Sequence, residues 1–175
     1  RIAQLLARQG NLDAGRRHLQ EVRAAGNADR IQLLLAESQL LRDGGRTQEA
    51  YELLAGGLAT QPEQSELLYE SALLAEKLGR HEAMEASLRK LIRLKPEHAH
   101  AYNALGYSFA ERNQRLEEAE QLVLKALQLS PDDPFIIDSM GWVLYRKGDN
   151  QGALAHLQRA FSIRPDPEIA AHLGD

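Results

Sequence analysis

Prolines recur along this chain at a nearly constant interval. Pro62, Pro96, Pro131 and Pro165 follow one another at 34, 35 and 34 residues. Three further columns keep the same step: Ala50, Met84, Ala119 and Ala153; Leu54, Leu88, Val123 and Leu157; Gly57, Leu91, Ala126 and Ala160. A single compact core has no reason to repeat itself. A fixed period of this length instead marks a supersecondary unit that buries its apolar face against copies of itself. Within each period, apolar residues fall three and four apart on both sides of a break, as in Leu33, Leu34 and Leu41 followed by Leu53, Leu54 and Leu58. That spacing predicts two helices per period. Gly45, Gly79 and Gly148 punctuate the break, and the 99–133 period has the longer polar stretch ERNQRLEE in that place.

Four full repeats are expected at 31–64, 65–98, 99–133 and 134–166, with a partial one at 1–30 and the start of a further one at 167–175, in one array over 1–175. The Leu105-Gly106 and Met140-Gly141 pairs, the alanines Ala119 and Ala153 and the closing prolines resemble the tetratricopeptide repeat family. What the resemblance implies is an all-α fold, a right-handed superhelix of antiparallel helix pairs. Gly10 and Gly26 are expected to end the two helices of the partial repeat. Asp133-Pro134 reads as an N-cap followed by proline at the first helical position. The pair Gly56-Gly57 inside a second helix is costly unless a neighbour packs closely there.

Hydrophobic residues at 43% and charged residues at 26% describe an ordinary folded protein. A net charge of −4 and a pI near 5.9 do not provide the basic surface that nucleic acid requires, so no nucleic-acid partner is expected. No apolar run is long enough to span a membrane. The chain begins and ends inside a repeat pattern and is expected to be a piece of a longer protein, free to self-associate at its ends. The absence of cysteine is compatible with either redox compartment.

No phosphate-binding glycine loop, zinc-binding His-Glu pattern or nucleophile elbow is present, so neither catalysis nor a cofactor or metal is expected. The six histidines, His98 and His100 among them, read as polar surface residues. In the family, the first helix of each repeat lines the concave face, and repeat positions 2, 5, 6, 9, 12 and 13 reach into it. Carried over residue by residue, this implies a partner-binding set of Tyr69, Glu70, Asn103, Tyr107, Asp138, Trp142, Tyr145 and Arg146. Four of the chain's aromatics thus share one predicted face, and tryptophan and tyrosine dominate binding hot spots. The alternative for Trp142 and Tyr145 is packing against the following helix. Asn103 presents an amide able to donate and accept along an extended peptide. The carboxylate clamp of co-chaperone members is not expected, because Leu35, Tyr69 and Asp138 occupy the corresponding places.

A narrower resemblance covers the C-terminal half. SPDDP, DSMGWVLYR and DPEIAAHLGD are similar to Gram-negative outer-membrane repeat lipoproteins that act as adaptors of a carboxyl-terminal processing protease. That resemblance implies a non-enzymatic periplasmic adaptor whose partner is such a protease or its substrates, the parent protein being anchored at the outer membrane. The alternative is an assembly or structural factor for a cell-envelope machine such as a pilus, a secretion system or lipopolysaccharide export.

Overall fold

The computed structural model describes residues 2–8, 11–24, 26 and 29–174, with the Arg8 side chain excepted. The expected helix end at Gly10 lies outside the described residues. Among those described there are eleven α-helices and no strand: α1 (Ile2–Arg8), α2 (Leu12–Ala24), α3 (Arg30–Asp43), α4 (Thr47–Thr60), α5 (Ser65–Lys77), α6 (His81–Leu94), α7 (Ala99–Glu111), α8 (Leu116–Leu129), α9 (Pro134–Lys147), α10 (Asn150–Ile163) and α11 (Pro167–Gly174). They group into two compact units, Arg1–Ser87 and Leu88–Asp175, and the division falls within α6. No described helix is long and apolar enough to cross a membrane.

The first unit is built on Ile31, Leu34 and Leu41 of α3, Ala50 and Leu54 of α4, and Leu67 and Leu74 of α5. Here the two glycines of α4 divide the work. A Cβ on Gly57 would sit 3.0 Å from Leu67 Cδ1 and 3.1 Å from Leu34 Cδ1, so a small residue is what lets α4 approach its neighbours. Gly56 instead faces open space, at the edge of a cavity of about 340 Å³ lined also by Arg23, Arg30 and Leu53. Glu37 stands in the column that Leu105 and Met140 fill in later repeats, and it is fully buried. A lone buried carboxylate would be prohibitively costly. Helix α2 resolves this: Gln20 donates to Glu37 Oε1 at 2.7 Å, Arg23 to Oε2 at 3.1 Å and Arg16 to Oε1 at 3.4 Å.

In the second unit the small-residue columns set how closely helices meet. A Cβ on Gly106 would lie 2.8 Å from the Ala119 carbonyl oxygen and 2.7 Å from Val123 Cγ2. One on Gly141 would lie 2.7 Å from Leu157 Cγ. Beyond this crossing, Ile137, Ala160 and Ile169 bury one another and seat α11 against α9 and α10. Helix α9 starts as its sequence suggests, with Asp133 Oδ1 accepting from the amides of Phe135 at 2.9 Å and Ile136 at 3.3 Å, and Pro134 in the first turn. The turns at Gly45, Gly79 and Gly148 all take positive φ. The turn between α7 and α8, which has no glycine, takes it at Asn113 (φ 53°) and Arg115 (φ 48°) instead. Arg115 is retained there by two contacts, its guanidinium lying 4.2 Å from the Phe109 ring centroid and 2.6 Å from Glu118.

Candidate functional site

The second unit gathers most of the predicted residues on one face. Helix α7 supplies Asn103 and, one turn later, Tyr107; α9 supplies Asp138 and, one turn later, Trp142, then Tyr145 and Arg146. A residue four places on lies on the same side of a helix, so each pair forms a short column. Helices α7 and α9 pack together, which sets the two columns on one surface.

His172 of α11 links these columns. Its imidazole Nδ1 lies 2.8 Å from Asp138 Oδ2. The ring stacks on Trp142 with centroids 4.4 Å apart and planes 22° from parallel. Its Nε2 lies 3.5 Å from the Tyr107 hydroxyl. Trp142 also packs on Tyr145 at 5.3 Å, and the Arg146 guanidinium lies 5.7 Å from the indole ring. Trp142 therefore does pack on the following helix, and with 8% of its surface exposed it is buried, whereas Tyr145 is 38% exposed.

Carboxylates surround the imidazole and the phenol on this face. The hydrogen bond to Asp138 raises the His172 pKa above its ordinary value against the opposing effect of burial, and the charges of Asp138, Glu168 and Glu111 act in the same direction. Tyr107 is pushed well above the usual phenol range by burial first, then by the charges of Glu111, Glu168 and Asp138 and by its hydrogen bond to Glu111. His172 thus sits between the Asp138 carboxylate and the Tyr107 hydroxyl, while the phenol donates to Glu111. Three buried polar atoms on this face have no hydrogen-bond partner among the described residues: Asn103 Oδ1, Asp138 Oδ1 and Trp142 Nε1. Leaving such an atom unpaired costs about 1–3 kcal/mol, so each marks an unmet demand for a partner group.

Tyr69 and Glu70 belong to α5 of the first unit, where Glu70 pairs with Arg42 at 3.4 Å and Tyr69 is half-buried. Among the other histidines, His98 caps α7 by accepting from the Ala101 amide at 3.1 Å. His172 is the residue that sequence reasoning misses: the expectation is a polar surface residue, yet its side chain is only 10% exposed. Extending the groove positions into 167–175 would have found it, because Glu168 and His172 fall at positions 2 and 6 of that incomplete repeat. No group of three or more metal-ligating side chains lies together among the described residues.

Residues 69–134 match the family model described as Tetratricopeptide repeat. Over those residues the chain carries the tetratricopeptide repeat pattern. It is 41% identical over all 175 residues to TPR repeat-containing protein PA4667 of Pseudomonas aeruginosa, and spans 30% of that relative's length. Among solved structures, a tetratricopeptide repeat protein from Parabacteroides merdae superposes with a TM-score of 0.79 at 19% identity, over 99% of this chain and 68% of that one. MamA from Desulfovibrio magneticus gives 0.74 at 22%, over 95% and 93%. YrrB, described as a TPR protein with an unusual peptide-binding site, gives 0.70 at 19%, over 98% and 88%. These likenesses establish the tetratricopeptide solenoid fold.

Proposed function

We propose that this tetratricopeptide repeat chain is a non-enzymatic interaction module that holds a segment of a partner protein on the face formed by α7, α9 and α11. The observation that carries this is the set of three unpartnered buried polar atoms beside Tyr107, Trp142 and Tyr145. Aromatic area supplies affinity and unmet hydrogen bonds supply specificity. The tetratricopeptide relative from P. aeruginosa and the peptide site named for YrrB are in keeping with that reading. The finer role is that of a periplasmic adaptor for a carboxyl-terminal processing protease, the parent being held at the outer membrane. Its support is the resemblance of SPDDP, DSMGWVLYR and DPEIAAHLGD to adaptors of that kind.

Tyr145→Ala is the variant that separates binding from folding, because Tyr145 is the most exposed of the clustered aromatics on α9. Affinity capture from envelope extract with the native chain and this variant, followed by direct titration of the purified protease, tests both levels. Binding of the protease or its substrate by the native chain, weakened at least tenfold in the variant, is the expected outcome. Equal binding by both forms would place the interaction off this face. Capture of envelope-assembly components, with no affinity for the protease, would favour the assembly role.

A further inference from the structure

We propose that Tyr107, Asp138 and Trp142 form a pocket for an arginine side chain of the bound partner, and that His172 is its internal occupant, displaced when the partner binds. The inference rests on the interaction reading above and adds the chemistry of the residue recognised.

The present occupant reveals what the pocket takes. His172 is a flat ring pressed on the indole at 4.4 Å, and its Nδ1 meets a carboxylate at 2.8 Å. Guanidinium is also flat and stacks on aromatic faces, but it carries five N–H donors where imidazolium carries two. The pocket has acceptors that imidazolium leaves unused. Asp138 Oδ1 and Asn103 Oδ1 are both buried without a partner among the described residues, on adjacent helices at the corresponding repeat position. Asp138 is 4% exposed. Glu111 and Glu168 add negative charge around the same ring, as their effects on Tyr107 and His172 record. The remaining orphan, Trp142 Nε1, is a donor and complements the backbone carbonyl of the same partner residue. Arg146, 5.7 Å from the indole, reaches the Glu111 backbone carbonyl at 3.4 Å rather than Asp138, so it does not fill the pocket. Because Asp138 and Trp142 are covered, an incoming guanidinium must take the place of the imidazole.

The chain contains a single tryptophan, so one indole N–H resonance reports on the pocket. The experiment titrates the full chain with N-acetyl-arginine methylamide and, in parallel, with the citrulline analogue, which keeps the planar shape and lacks the charge. A saturable shift of the Trp142 resonance with arginine, and none with citrulline, is expected. Asp138→Asn should weaken the arginine response at least tenfold. His172→Ala should strengthen it; if the imidazole holds the pocket about nine-tenths of the time, the gain is about tenfold. Equal responses to the two analogues, no response to either, or an affinity unchanged by His172→Ala would overturn the proposal. If Asp138→Asn fails to fold, the citrulline control and His172→Ala still decide. A partner that loses affinity in Tyr145→Ala while the chain ignores arginine would leave the interaction reading standing and remove only this one.

Discussion

At the scale of the residue, two positions carry opposite kinds of constraint. Gly141 is constrained by volume, since its missing Cβ would lie 2.7 Å from Leu157 Cγ and 3.2 Å from the Ala153 carbonyl oxygen. Gly141→Leu should therefore destabilise the protein by about 1–3 kcal/mol through overpacking, and a thermal midpoint equal to wild type would refute the crossing. His172 is constrained by charge. Its pKa is raised in the folded state by Asp138, so its contribution is fully present below the ordinary histidine value of about 6.5 and is lost as pH rises through the raised value. The difference in thermal midpoint between wild type and His172→Ala should accordingly be larger at about pH 6 than at about pH 9. A difference that grows with pH would mean that the imidazole is held neutral.

At the scale of the element, the helices were legible because each boundary carries its own chemistry. Asp133 accepts two amide hydrogen bonds at the start of α9, and Gly148 ends that helix with φ 89°. Asp133→Ala should cost about 1 kcal/mol, as the loss of an N-cap does, and Asp133→Ser much less. Urea titrations followed by Trp142 fluorescence would measure this within the same helix, and equal midpoints would assign the cap to water. The turn between α7 and α8 was legible as long and polar but not in its mechanism. Asn113 is of a type that tolerates left-handed backbone, but nothing in ERNQRLEE announces that Arg115 adopts it, because the compensation comes from its contacts with Phe109 and Glu118 in the folded chain.

At the scale of the whole molecule, periodicity reveals what repeats and hides what departs from the repeat. The columns identify Gly106, Gly141, Ala119 and Ala153, but Glu37 in a leucine column looks like an error until Arg16, Gln20 and Arg23 are seen around it. Likewise the aromatic face could be read from positions on the first helices of the full repeats, while the imidazole at its centre could not, because His172 lies on α11, beyond those repeats. Both departures are places where one helix supplies the polar partner that a buried carboxylate on its neighbour needs. In an array, stability is a sum of repeat and neighbour terms, so such exchanges should be felt locally. Glu37→Gln weakens hydrogen bonds from two arginines and should raise amide exchange in α2 and α3, with protection in α9 to α11 unchanged. His172→Ala should do the reverse, loosening α11 and the facing turns of α9 and leaving α2 and α3 as they were. Uniform acceleration across all helices in either variant would mean that the chain opens as one cooperative body, and the neighbour-by-neighbour account of its stability would have to be abandoned.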